Sequence, residues 1–205
     1  MELEYKWVLE DEKQANVILN DPFICNKIIY SNKLKMNAIY YDTEDRIIES
    51  MHGALRLRKE NATSICCMKI NTVSSEGYKL RNEYEVEANT IKEGIKLLST
   101  VGAPQEVCTK LMCTKLNEIC QIEFERCKYE ICFITPSKSC NVELSIDKGY
   151  SMSEKNKVPI SEIEFEFLDG DKEFFHILAR KIQKKFTLKN QELSKIGRVL
   201  ILEGE

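Results

Sequence analysis

Hydrophobic and polar residues alternate with a period of two along much of this chain. At the N-terminus Glu2, Glu4 and Lys6 share one strand face, and Leu3, Tyr5 and Trp7 share the other. The pattern returns at Glu162-Ile163-Glu164-Phe165-Glu166-Phe167, where three acids face away from three bulky apolar residues, and again with positive charge at Arg56-Leu57-Arg58. Each stretch alone reads as a strand whose charges point into water. Together they point to a closed sheet with a charged interior, its apolar outer face covered by helices.

The pattern predicts the following elements in order. A first strand covers residues 2–7, and a short helix runs from 11 to 20, ended by Asp21-Pro22. Residues 27–41 are strand-like with a polar turn at Ser31-Asn32, and 46–51 form a short helical stretch. Residues 54–58 and 64–70 make a hairpin about Glu60-Asn61. A polar loop, 72–77, leads to a strand over 78–88. Thr90 caps a helix over 91–101, which Gly102-Ala103-Pro104 ends.

Residues 111–134 predict two strands with a turn at 127–130, although 116–122 also fits a helix. A strand over 141–147, a polar loop over 151–157 and the acidic strand over 159–168 follow. The helix over 171–185 turns Phe174, Phe175, Leu178 and Ile182 inward, and a helical segment near 191–202 closes the chain. About eight strands in hairpin-like succession, with helices between them, define an α+β class. The pattern is compatible with a closed antiparallel barrel of about eight strands with helices packed outside, in a single domain over 1–205.

Composition sharpens this picture. With 43% hydrophobic residues the chain can bury a core, and no apolar run is long enough for a membrane span. Charged residues make up 31%, above the roughly 25% usual in globular domains, yet the net charge is only −3. That balance argues against a general nucleic-acid binder. Nine cysteines occur without a Cys-x-x-Cys pair, and neither His52 nor His176 stands at zinc-ligand spacing from one. Reduced thiols in a cytoplasmic protein are expected, and a motif starting at residue 2 leaves no room for a cleaved targeting segment.

The candidate inward acids are Glu2, Glu4, Glu83, Glu85, Glu143, Asp147, Glu162, Glu164 and Glu166. The candidate bases are Lys6, Arg56, Arg58, Lys69, Arg81, Arg126, Lys128 and Lys195. Buried charges must be paired or bind ions. Carboxylates without histidine or thiol suit a hard cation such as Mg²⁺ or Mn²⁺, and clustered Arg and Lys suit phosphate oxygens. A cavity holding both fits a metal-bound polyphosphate.

The ordered set of motifs resembles the CYTH superfamily, the triphosphate tunnel metalloenzymes. Glu2-x-Glu4-x-Lys6 is similar to its ExExK signature. Tyr40-Tyr41-Asp42-Thr43 through Gly53-Ala54-Leu55-Arg56-Leu57-Arg58 is similar to a second block. Lys69, Arg81-x-Glu83-x-Glu85, Glu143-x-x-x-Asp147-x-Gly149, Glu162-x-Glu164-x-Glu166 and Ser194-Lys195 continue the match. The resemblance implies an eight-stranded antiparallel β-barrel, a tunnel that hydrolyses or rearranges triphosphates with a divalent metal. It implies metal binding by Glu2, Glu4, Glu164 and Glu166, with Asp147 and Glu162 either joining them or holding a tunnel lysine. It implies a triphosphate grip by Lys6, Arg56, Arg58, Lys69, Arg126 and Lys195, to which Arg81 is added as a further inward base. Glu2, Glu4 and Lys6 are the expected catalytic groups. Lys128, Glu143, Glu83 and Glu85 carry no assigned role.

The resulting expectation is a metal-dependent triphosphatase acting on tripolyphosphate or a nucleoside triphosphate, as a monomer or homodimer, with no nucleic-acid or membrane partner. Adenylate cyclase and thiamine triphosphatase are the alternatives within the fold. A non-catalytic polyphosphate- or nucleotide-binding module is the alternative from another class.

Overall fold

Antiparallel pairing follows directly from the alternation. The computed structural model describes residues 3–73 and 79–202. Its strands are β1 (Glu4–Val8), β2 (Ile28–Thr43), β3 (Ala54–Glu60), β4 (Thr63–Val73), β5 (Lys79–Glu87), β6 (Leu116–Ile134), β7 (Ser139–Met152), β8 (Lys157–Gly170) and β9 (Lys189–Asn190). The helices are α1 (Glu12–Asn20), α2 (Pro22–Cys25), α3 (Ile47–Ser50), α4 (Ile91–Leu98), α5 (Gln105–Cys113), α6 (Lys172–Lys185) and α7 (Lys195–Ile201). One sheet holds all the strands in the order β5-β4-β3-β2-β6-β7-β8-β1-β9. The eight expected strands are therefore present, and a two-residue ninth extends the row beyond β1. Residues of β1 and of β5 line the same cavity although they stand towards opposite ends of the row, so the sheet curls into a tunnel wall.

Two apolar cores cover the outer face. Trp7, Leu144, Ile163 and Phe165 from one half of the sheet pack with Ile18, Ile24, Phe175, Leu178 and Ile182 from α1, α2 and α6. Leu55, Cys66, Met68 and Ile70 from the other half pack with Ile95, Leu98, Cys108 and Leu111 from α4 and α5. A third cluster lies on the inner face. There Val199 of α7, with Ile196 and Leu200, covers Ala38, Tyr40, Ile122 and Ile160 and closes off that part of the tunnel.

Several expectations are corrected. No turn interrupts β2 at Ser31-Asn32: residues 30–33 are exposed and pair with β6 alone, because β3 reaches only to Met36. A polar run there marks a strand with water on both faces. Residues 127–130 do not turn either, since β6 is continuous from Leu116 to Ile134 and its polarity is alternation. Leu111 belongs to α5, which the pattern missed, and residues 116–122 are strand, not helix. The helix expected over 91–101 ends at Leu98 and continues as a 3₁₀ turn to Val101. Of the predicted loop at 72–77, residues 74–77 lie outside the described residues, while Thr72 and Val73 belong to β4.

Candidate active site

Register sets the charges of one half-site. Lys6 stands opposite Glu164 in the β1–β8 ladder, Glu162 opposite Asp147 in β7–β8, and Asp147 opposite Arg126 in β6–β7. Every second residue faces inward, so these four strands present their charges to one another. Arg126 grips Asp147 with two hydrogen bonds, from Nε at 2.7 Å and Nη2 at 2.6 Å, and donates to Glu164 Oε2 at 2.5 Å. Lys6 Nζ lies 3.1 Å from Glu164 Oε1 and 3.4 Å from Glu4 Oε1.

Helix α7 adds two more cations from its first turns. Ser194 caps it by accepting from the Gly197 amide, and Ser151 Oγ donates to the Lys195 carbonyl at 2.8 Å. Lys195 Nζ then sits 2.7 Å from Asp147 Oδ2 and 2.8 Å from Glu164 Oε1, and it also pairs with Glu162. Arg198 Nη2 donates to Glu162 Oε2 at 2.5 Å. Burial pushes the Glu164 carboxyl up, but Lys195, Arg126 and Lys6 together outweigh it and hold that carboxyl well below the usual range. Burial pushes the Lys6 ammonium down, yet Glu164 and Glu4 leave it above its ordinary value.

The second half-site comes from β3, β4 and β5. Lys69 pairs with Glu83 at 2.8 Å. Arg58 Nη2 lies 3.4 Å from Glu85, and its Nε lies 2.7 Å from Glu60. Arg56 is held loosely: Glu83 and Glu85 are 3.9 and 3.8 Å away, Nη1 donates to Tyr40 Oη at 3.3 Å, and its buried Nε makes no hydrogen bond. Cys67 lies between these groups, and burial pushes its thiol up to about 12, so it is a neutral thiol at physiological pH.

A cavity of about 580 Å³ joins the two halves and is lined by Glu4, Lys6, Arg56, Arg58, Lys69, Arg126, Glu164 and Lys195 among others. Of the sequence-predicted charges, these eight and Glu83 are brought together. Asp147 and Glu162 are fully buried behind them and bind cations of the protein itself. Glu166 stands opposite Glu4 and Glu143 in the ladders and is not among the lining residues. Lys128 pairs with Glu143 at 2.6 Å, outside the cavity lining. Arg81 lies on β5 opposite Asn71, and Glu2 lies outside the described residues.

Sequence reasoning missed Arg198 and Phe124, and it read Tyr40 only as part of a motif, without its place beside Arg56. Arg198 follows Lys195 by three residues, so both project from one helix face, and that spacing was the available signal. Phe124 alternates with Arg126 on β6 and carries two cations on its ring, Lys195 Nζ at 5.0 Å and Arg126 Cζ at 5.5 Å from the centroid.

The antiparallel sheet curls about inward charges of both signs, with α7 on its inner face and the larger helices outside. The family model for the CYTH domain matches residues 1–200, and the chain belongs to that family. It is 26% identical over 150 residues to the inorganic triphosphatase of Haemophilus influenzae. The match covers 70% of this chain but 39% of that relative, so the chain spans well under half of its length. Among solved structures it is similar to a Hippeastrum protein reported as an adenylyl cyclase candidate with a dominant triphosphatase activity. That likeness has 16% identity, covers 100% of this chain and 97% of the other, and has a TM-score of 0.63. It is similar also to the PH1819 protein of Pyrococcus horikoshii OT3, with 18% identity, full coverage of both chains and a TM-score of 0.58. At these identities the structural likeness is one of fold.

Proposed function

We propose that the chain is a divalent-metal-dependent triphosphatase that hydrolyses inorganic tripolyphosphate to pyrophosphate and orthophosphate in this cavity. The observation that carries the reading is the convergence of six bases, Lys6, Arg56, Arg58, Lys69, Arg126 and Lys195, on one cavity that also receives Glu4 and Glu164. Such bases match a ligand presenting phosphate oxygens along its whole length.

The donor set fits a hard cation: Asp147, Glu162 and Glu164 offer carboxylate oxygens within 4.8 Å of one another. We assign the ion to Glu4, Glu164, Glu2 and Glu166, with Asp147 and Glu162 as further candidates, and Mg²⁺ or Mn²⁺ as its identity. A bound ion of this type neutralises charge on phosphate oxygens and acidifies water. The chain's own part is positioning. Arginines and lysines hold the phosphates in line, and Glu2 or Glu4 takes a proton from water as its oxygen bonds to the terminal phosphorus. The bridging P–O bond breaks and pyrophosphate leaves, so no covalent nucleophile is needed.

Tripolyphosphate is favoured over an organic triphosphate because the apolar wall is not free to hold a base. Met36, Ala38 and Ile122 are at most 5% exposed, and the Phe124 ring is already faced by Arg126 and Lys195. Trp7 is buried in the outer core, stacked with Tyr5. The test is to incubate the protein with tripolyphosphate, ATP and thiamine triphosphate, each with Mg²⁺ or Mn²⁺, and identify the products. The expected kcat/KM for tripolyphosphate exceeds that for ATP by about tenfold, or ~1.4 kcal/mol. Cyclic AMP as the main product, or a preference for ATP, overturns the assignment, and full turnover in EDTA overturns the metal dependence.

A further inference from the structure

The Asp147–Glu162–Glu164 triad already holds a cation, the ammonium of Lys195. The oxygens that face it are one from each acid: Asp147 Oδ2 at 2.7 Å, Glu164 Oε1 at 2.8 Å and Glu162 Oε1. Two of these oxygens are shared, Asp147 Oδ2 with Arg126 and Glu164 Oε1 with Lys6 at 3.1 Å, while Arg126 also takes Asp147 Oδ1 and Glu164 Oε2, and Arg198 takes Glu162 Oε2. A metal ion shared by the three acids would need the oxygens that Lys195 now occupies. We propose that Lys195 is a tethered competitor for the divalent cation, so that cation entry into this triad and docking of α7 on the inner sheet face exclude each other. The inference rests on the metal-dependent reading above.

Several observations make Lys195 the group that yields. Arg126 is fixed within a strand of nineteen residues and paired on both sides, whereas Lys195 begins a helix of seven. The docked helix is held by Val199 against Ala38, Tyr40, Ile122 and Ile160, by the Ser151–Lys195 hydrogen bond and by the Arg198–Glu162 pair. That patch is small, and one of its polar anchors ends on a triad acid. A dication at the oxygens that face Lys195 would stand directly against its ammonium, and in a buried site that repulsion is weakly screened. Lys195 also lines the cavity, so a triphosphate there offers the displaced ammonium new oxygens. Substrate anion and metal cation then favour each other's binding by reciprocal coupling.

The experiment measures Mn²⁺ binding to the full chain by electron paramagnetic resonance and hydrogen exchange at residues 195–201 by mass spectrometry. Lys195→Met should bind Mn²⁺ at least tenfold more tightly than the parent, and adding Glu164→Gln should abolish the gain. In the parent, Mn²⁺ should speed exchange in α7. Equal affinities with unchanged exchange overturn the competition and leave the metal reading standing. Faster exchange in Lys195→Met without tighter Mn²⁺ binding makes Lys195 merely structural and likewise overturns it. Absence of Mn²⁺ binding by both proteins overturns the inference together with metal dependence. If Lys195→Met does not fold, the exchange response of the parent decides.

Discussion

Glu164 shows how burial and pairing oppose each other at a single residue. Burial favours its neutral form, but three cations keep it ionised well below the usual carboxylate range. A glutamate in the unfolded chain titrates near about 4.3, so below that pH the unfolded state binds the proton first. The ionised form therefore stabilises the fold above that value, and the contribution is lost as pH falls through the depressed folded value. Glu164→Gln leaves Lys6, Arg126 and Lys195 short of a carboxylate and should cost about 3 kcal/mol near neutral pH. It should also flatten the acid side of the stability curve, as read by urea denaturation at stepped pH. Parallel curves for the two proteins through the acid range would place that sensitivity elsewhere.

Arg56 makes the opposite case, because its contacts to Glu83 and Glu85 are long and its Nε is unused. Arg56→Ala should weaken tripolyphosphate binding by about tenfold or more in calorimetry, ~1.4 kcal/mol, while unfolding stays cooperative. Undiminished binding would mean that this guanidinium does not grip the ligand.

Among the elements, the strands that carry the site were the most legible, and the reason is periodicity. Charge alternating with bulk over Glu4–Lys6, Arg56–Arg58 and Glu162–Glu166 can be satisfied only with one face inward. Both faces of the N-terminal part of β2 lie in water, so its polarity resembled a turn, and α5 was missed because its apolar stripe is short. The spacing from Lys195 put Arg198 on the same helix face, but its partner was not legible, because Glu162 is brought to it by a strand distant in sequence. Strand packing also makes a prediction at Gly149. A Cβ there would stand 2.0 Å from the Glu123 carbonyl oxygen and 2.5 Å from Phe124 Cα, both on the neighbouring β6 backbone. Gly149→Ala must push β6 from β7 beside the Arg126–Asp147 pair. A loss of about 1–3 kcal/mol is expected in chemical denaturation, together with weaker tripolyphosphate binding. Parent-like stability would show that the two strands can separate there at little cost.

Over the whole molecule the net charge of −3 conceals sorting by sign within one cavity. One half-site pairs Arg56, Arg58 and Lys69 with acids of β3 and β5; the other pairs Lys6, Arg126 and Lys195 with acids of β1, β7 and β8. In the structure without ligand, each cation thus leans on carboxylates that a phosphate chain would replace. A ligand reaching both halves recruits more bases than one confined to either. Binding to the folded state alone raises stability by mass action, about 2.7 kcal/mol at a hundredfold excess over Kd. In EDTA, where no turnover is expected, tripolyphosphate should therefore raise the melting temperature clearly, and orthophosphate at the same concentration should raise it much less, in differential scanning calorimetry. The comparison should be repeated in Lys69→Ala, which weakens one half only. If tripolyphosphate and orthophosphate stabilise the parent equally, only one half of the cavity is engaged and the two-sided grip is wrong.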